Sequence, residues 1–387
     1  MQARMTRDFA AVEHIGATIL QSGKDNAFVR RALARQFDEL QQHDEARRHW
    51  LALRDQFPAD FEAAFHVARD FLREGATLQS ALAAAAPNGS AAFLRNLGEV
   101  LEEPDEDAPP DSGIRHIAIC GVSYCGSTLI DRLLGGLPNV ASIGESHWLT
   151  KGRSGSGYGP LDFSSDSPPG FVRCSVCGQN CEVLTAGFRR HLAADRTNWY
   201  FRIARRLGTG ILVSADKNPP KLCDQDPLLR LDGLVVFKSL AQAWMSELTK
   251  RPSGKDEEYY RTECERYIAA WIQTYATFIE HFSPQGKVAV LSFEEFTRDP
   301  KEVLRAACRS LSLEFDEQIL KATRPGHAIG GNGRALGRLR EAGYAPDISE
   351  LEPCDLPQSH LRLIEESAEA KRIFDLLEAA HRHMMQQ

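Results

Sequence analysis

The apolar positions of this chain change their spacing near residue 114. From the first residues to about residue 100 they recur at helical intervals among alanine, leucine, arginine and glutamate, broken at Pro58 and Pro87, which predicts an all-helical region. From Ile114 onward the apolar runs become short and continuous: Ile117 to Cys120, the stretch GILVSADKNPP from Gly210 to Pro220, Leu234 to Phe237, and Val288 to Phe293. Such runs predict the buried strands of a parallel sheet. Helical patterns alternate with them. One carries Leu129, Ile130, Leu133 and Leu134, and a long amphipathic one runs from Tyr259 to Phe282 with its aromatic residues near one face. A third opens at Asp299-Pro300 and turns Val303, Leu304, Ala307 and Leu311 inward. The expected fold is α/β, three layers around a central parallel sheet, preceded by an all-α region.

Inside the helical region Ala34-Arg35-Gln36-Phe37 recurs as Ala68-Arg69-Asp70-Phe71, a period of 68 − 34 = 34 residues. That is the length of the tetratricopeptide repeat. In the first copy Ala34, Phe37, Ala46, Trp50 and Pro58 resemble that repeat's small, aromatic, small, aromatic and proline positions; the second keeps Ala68, Phe71 and Gly75. Two copies are few for independent stability, so they are expected to pack on the α/β domain beyond them. Two readings stand beside each other: a platform for a protein partner or self-association, and a helical layer that only covers its neighbour. Glu102 to Gly113 is acidic and proline-rich with nothing apolar to bury, a linker. The expected division is therefore 1–101 helical, 102–113 linker and 114–387 α/β, with the helical pattern from Gln358 to His383 adding packing.

The stretch from Ile114 to Glu145 carries the chemistry. Strand, small-residue loop and helix succeed one another directly, and GVSYCGST from Gly121 to Thr128 fits the nucleotide-binding loop G-x-x-x-x-G-K-S/T except that Ser127 stands where lysine belongs. Glycine lets consecutive N–H groups at the helix start point into one space, a nest for phosphate. A kinase needs the missing ammonium on its β- and γ-phosphates. A nucleotide with less charge there does not.

This stretch resembles the sulfotransferases that use 3′-phosphoadenosine 5′-phosphosulfate, whose loop is followed by a leucine-rich helix and then Gly-Glu, here Gly144 and Glu145. The resemblance covers roughly Ile114 to Gly337 and implies that nucleotide as co-substrate. It implies that Ser123, Tyr124, Cys125, Gly126, Ser127 and Thr128 form the phosphosulfate loop, and that Lys217, after the strand of GILVSADKNPP, lies over the reacting group. It further implies that Lys238 and Ser246, 246 − 238 = 8 residues apart, grip the 3′-phosphate, closed by Asn332 and Arg334 of GHAIGGNGRALG. Lysine at 238 replaces the family's arginine and loses the bidentate fork. Tyr124 stands where many relatives carry lysine or arginine. Glu145 is the expected base, with His147 as rival because a histidine starts nearer working pH.

Thr150 to Gly170 is rich in glycine, serine and proline and reads either as an acceptor loop or as disorder. Directly after it stands RCSVCGQNCEVL, with Cys174, Cys177 and Cys181 spaced for a zinc turn. Structural zinc and unligated thiols remain open, with His147, His191 and Cys223 as possible fourth ligands.

Composition narrows the partners. The 387 residues are 43% hydrophobic and 26% charged with a formal charge of −7, which gives no global field for nucleic acid or an anionic membrane. No run has the length of a membrane span and no signal segment opens the chain, so a cytoplasmic protein is expected; nine cysteines suit reduced thiols. The expected activity is sulfuryl transfer to a small-molecule, carbohydrate or peptide hydroxyl, or an amine. The alternatives are a non-catalytic nucleotide-binding scaffold and, disfavoured by Ser127, a nucleotide kinase.

Overall fold

A computed structural model describes residues 14, 18–19, 27–39, 41–102, 114–145, 174, 176–178, 181–194, 199–215, 230–282, 287–321, 326–329, 337, 346, 348, 351 and 353–387. Two compact units emerge, one of residues 1–112, 147–203 and 220–228, the other of residues 113–146, 204–219 and 229–387. The cysteine segment thus groups with the N-terminal helices and not with the sheet.

The first unit opens with α1 (Ala27–Glu39), α2 (His43–Gln56), α3 (Phe61–Arg73), α4 (Leu78–Ala85) and α5 (Ala91–Glu102). Ala34, Phe37, Ala46, Trp50 and Ala68 all lie in one buried core with Phe61, Phe65, Phe93 and Leu97. Trp50 is fully buried; its indole stacks on His66 with ring centroids 4.2 Å apart and donates to Asp38 Oδ2 at 2.8 Å. That bond removes the cost of burying the indole N–H. Arg35 clamps α1 to α3 through a forked pair with Glu62 at 2.5 and 2.7 Å. Caps at Asp60 and Thr77, whose side chains accept from Ala63 and Ser80 N–H, fix where α3 and α4 begin. Where the second copy lacks its later small and aromatic pair, Ala81 and Ala85 of α4 and Phe93 of α5 close the core instead. Still in this unit, α6 (Ala186–Ala194) joins α5 through Arg190 and Glu99 at 2.5 Å and α3 through an edge contact of His191 with Phe65.

The chain continues through α7 (Trp199–Leu207), which spans the division between units. The second unit holds the sheet: β1 (Arg115–Cys120), β2 (Val140–Ser142), β3 (Ile211–Ser214), β4 (Arg230–Phe237) and β5 (Val288–Ser292), in the order β2-β3-β1-β4-β5 and parallel at every pairing. This is the α/β class expected from the short apolar runs. β1 is central, in register with β3 from Arg115 opposite Ile211 and with β4 from Arg115 opposite Arg230. Its polar His116 is tolerated in the interior because Nε2 lies 2.8 Å from Ser214 Oγ on β3.

Strand β4 begins four residues before the apolar run that predicts it. Arg230, Leu231 and Asp232 look like loop, yet Asp232 is buried and its carboxylate takes Arg115 Nε at 2.6 Å and the Lys287 N–H at 3.1 Å. Pairing of this kind is what allows a carboxylate inside a sheet. Around the sheet lie α8 (Ser127–Leu134), α9 (Leu240–Leu248), α10 (Glu257–Phe282), α11 (Phe293–Arg298), α12 (Pro300–Ser310), α13 (Gln358–Glu366) and α14 (Ala368–Gln386). The aromatic stripe of α10 is core: Tyr267, Trp271, Tyr275 and Phe278 are all buried. Among the described residues no helix is long and apolar enough to cross a membrane.

Candidate functional site

Ligands of open parallel sheets bind beyond the carboxyl ends of central strands. Here the carboxyl end of β1 feeds the loop Gly121–Gly126, which enters α8 at Ser127. Gly126 is the cap, at φ 97° and ψ 4°, in the left-handed region that glycine adopts without strain. A side chain there would also drive into the ring of Phe293, at the start of α11. At Gly121 a Cβ would collide with the carbonyl of Val236 in β4 and with the Cys125 sulfur. Both glycines are therefore fixed by close approach as well as by the turn.

Tyr275 of α10 ties the loop to the sheet. Its buried hydroxyl donates to the Val236 carbonyl at 3.0 Å and accepts the Val122 N–H at 3.4 Å. Burial holds this phenol well above its ordinary titration range, so it keeps the proton that the Val236 bond requires. Inside the loop Cys125 N–H bonds to the Val122 carbonyl at 3.2 Å, while Leu129 and Ile130 N–H groups both reach the Gly126 carbonyl. The N–H groups of Gly126, Ser127 and Thr128 belong to the helix start, where backbone donors lack intrahelical acceptors and the helix dipole favours negative charge.

Of the residues expected in the loop, Ser123 is exposed, Tyr124, Gly126 and Thr128 are half-buried, and Cys125 and Ser127 are buried. Tyr124 sits at φ 67°, a conformation that costs a non-glycine residue of order 1 kcal/mol or more. Lys238, directly after β4, is only 5% exposed, with its ammonium 4.7 Å from the centre of the Phe293 ring, the same ring that packs on Gly126. Burial lowers its pKa below the ordinary lysine range, and the charges of Cys125 and Glu294 oppose that shift. The Glu294 carboxylate accepts the Ser239 N–H at 2.7 Å, and Ser239 in turn caps α9. Ser246, half-buried on α9, donates its hydroxyl to the Gln242 carbonyl one turn back at 3.0 Å.

Lys250 is a cation beside the loop that the sequence motifs do not single out. It lies just past α9, where its ammonium stands over the Tyr124 ring and 3.4 Å from the Ser246 carbonyl. It brings a cation to the loop position that lacks one of its own. No local pattern announces it, because 126 residues separate it from Tyr124 and only the docking of α9 brings them together.

Glu145 is buried and follows Gly144, whose backbone forms a parallel bridge to Ile329; the Ile329 N–H bonds to the Ile143 carbonyl at 2.8 Å and the Ala215 N–H to the Gly144 carbonyl at 2.9 Å. The Gly-Glu turn, the end of β3 and the start of the last glycine-rich stretch thus meet at one edge. Asp131 and Arg132 of α8 support it from below through Ser142, whose hydroxyl donates to Asp131 at 2.5 Å and accepts from Arg132 at 3.1 Å. His147, Lys217, Asn332 and Arg334 lie outside the described residues, as does the stretch Thr150 to Gly170.

In the other unit, Cys174, Cys177 and Cys181 place their sulfurs within 4.8 Å of one another. Gly178 N–H bonds to the Cys174 carbonyl at 2.8 Å and Gly178 takes φ 78°, which closes the turn; Cys177 N–H points at Cys174 Sγ (3.4 Å) and Leu184 N–H at Cys181 Sγ (3.1 Å). His191, one of the suggested fourth ligands, is turned to Arg202, 2.5 Å from its Nε2. His147 and Cys223 lie outside the described residues.

The fold and the loop define an α/β protein with a glycine turn leading into a helix at the carboxyl edge of a parallel sheet. No family model matches the chain, and no curated protein does. Among solved structures it is similar to the sulfotransferase domain from the Synechococcus PCC 7002 olefin synthase, at 20% identity over 68% of this chain and 96% of that one, with a TM-score of 0.40. It is also similar to the sulfotransferase domain from the curacin biosynthetic pathway, at 17% identity over 70% of this chain and 99% of that one, again with a TM-score of 0.40.

The loop geometry makes a direct prediction. Gly126→Ala forces both a left-handed alanine and a shift of Phe293, and should destabilise the second unit by about 1–3 kcal/mol while weakening anion binding. Denaturation and binding by the variant unchanged from the parent would show that the loop does not hold this conformation.

Proposed function

We propose that the chain transfers a sulfuryl group from 3′-phosphoadenosine 5′-phosphosulfate to a hydroxyl or amine acceptor. The observation that carries this reading is the pairing of a lysine-free glycine turn at the end of β1 with a buried lysine at the end of the adjacent β4. The motif order supports it: loop, Gly144-Glu145, Lys217, Lys238 with Ser246, then Asn332 and Arg334. A nucleoside triphosphate carries its charge where Ser127 offers no ammonium, which argues against a kinase.

In this reading the N–H groups of Gly126, Ser127 and Thr128 hold the 5′-phosphate of the donor. The acceptor oxygen forms its bond to sulfur as the bond from sulfur to the phosphate oxygen breaks, and the electron pair leaves with that oxygen. Lys217 neutralises the leaving charge, and Lys250 adds to the field where Tyr124 has none. The acceptor's proton goes to Glu145, at the edge where the Gly-Glu turn meets β3; His147 is the other candidate base. Ser246, Lys238, Asn332 and Arg334 serve the 3′-phosphate. A charge aimed at a developing anion lowers the barrier by about 3 kcal/mol. The N-terminal helices serve as a tetratricopeptide-like platform for a partner or a second copy.

Two lysines give separate tests. Lys217→Ala should lower turnover by about a hundredfold, read as release of adenosine 3′,5′-bisphosphate from the donor with an acceptor panel, while donor affinity changes little. Equal turnover in the variant would remove Lys217 from the reaction. The second test concerns Lys238. Burial favours its neutral form in the empty site, whereas a bound phosphate favours the ammonium; affinity for the bisphosphate should therefore fall as pH rises through the lowered lysine pKa. Lys238→Arg stays charged throughout and should flatten that fall. A profile of the same slope in both proteins would exclude Lys238 from the anion site.

A further inference from the structure

We propose that Cys174, Cys177 and Cys181 bind a single structural zinc ion. Three thiols do not gather by packing alone. Cys174 and Cys181 are buried and Cys177 exposed, yet all three sulfurs converge to within 4.8 Å. Tetrahedral zinc with sulfur at about 2.3 Å sets its ligand sulfurs about 3.8 Å apart, so closing this group on an ion needs only side-chain adjustment.

The backbone is already in the form that such a site uses. A turn between Cys174 and Cys177 is closed by Gly178 at φ 78°, with the Gly178 N–H on the Cys174 carbonyl. No Cβ contact constrains that glycine, so its handedness is the reason for it. The N–H groups of Cys177 and Leu184 point at the sulfurs of Cys174 and Cys181. Such donors stabilise a thiolate, the form that zinc requires, and hold the ligands in place as outer-shell partners do. Two of these sulfurs therefore have their supporting bonds in place.

The position of the site says what it is for. Leu184 and α6 come directly after Cys181, and α6 is joined to α5 through Arg190 and Glu99 and to α3 through His191 and Phe65. A metal at the cysteine turn therefore anchors the segment that leads into α6. This segment is short of apolar residues: from Arg173 to Leu184 only Val176, Val183 and Leu184 are aliphatic. An ion supplies what a small core cannot.

Zinc binding at the cysteine turn is independent of the transferase reading, and either can fail alone. The test uses the full chain purified under reducing conditions. Elemental analysis should find one zinc per chain, and replacement by cobalt should produce thiolate-to-cobalt charge-transfer bands with the visible bands of a tetrahedral centre. The double variant Cys174→Ser/Cys177→Ser should lose the metal. Should that variant fail to fold, chelation and cobalt refilling of the parent decide instead, read with thiol alkylation: the three cysteines should be protected with metal and modified without it. Replacing the remaining cysteines and histidines one at a time then identifies the fourth ligand. A parent that keeps no zinc or cobalt after desalting, a disulfide among the three, or a double variant that binds metal as the parent does would each overturn the proposal.

Discussion

The second unit depends on how closely one loop can approach its neighbours. Gly121 lies against the Val236 carbonyl and Gly126 against the Phe293 ring, with no room for a Cβ at either point. That contact seats the end of β1 beside the ends of β4 and β5, since Phe293 directly follows β5. Tyr275 completes the joint by bonding to both Val122 and Val236. The features of the site depend on this seating. It starts α8 with its N–H groups clear, it brings Lys238 onto the same Phe293 ring, and it leaves Tyr124 in a strained backbone conformation within reach of Lys250. Strain of this sort persists only where surrounding contacts over-determine it.

Charge is arranged locally in a protein whose overall balance is negative. Lys238 is held in a poorly solvated position beside an aromatic face, which makes it costly to keep charged. Lys250 is instead exposed, reaching the loop from outside. The two come from different elements, one from the end of β4 and one from just past α9. A loop without its own lysine can in this way be furnished with positive field by the rest of the fold.

What the sequence made legible was local. The apolar run at Ile117 followed by glycines and a leucine-rich helix announces strand, turn and helix within a short stretch of chain, and the structure has β1, the turn and α8 there. The parallel sheet was legible for the same reason. The start of β4 was not, because Asp232 looks like a loop residue until Arg115 and the Lys287 N–H are known to satisfy it. Lys250 was invisible, since its importance lies in a contact across 126 residues. Ala34, Trp50 and Ala68 of the 34-residue recurrence lie in the buried core, but the recurrence could not say that Ala81, Ala85 and Phe93 would join them there. Grouping of the cysteine segment with the N-terminal helices was likewise hidden, because it depends on pairs such as Arg190 with Glu99.

If the turn at Gly126 and the cations around it receive a nucleotide with phosphates at both the 3′ and 5′ positions, the protein must tell that nucleotide from its simpler relatives. Calorimetric titration of the full chain with adenosine 3′,5′-bisphosphate, beside AMP and ATP, measures this discrimination. The expected result is saturable binding of the bisphosphate, weaker binding of AMP by the loss of the 3′-phosphate contacts, and no preference for ATP. Saturation at a hundred times the dissociation constant should also stabilise the protein by about 2.7 kcal/mol. Binding of ATP in preference to the bisphosphate, or of neither, would contradict a bisphosphate site at this turn.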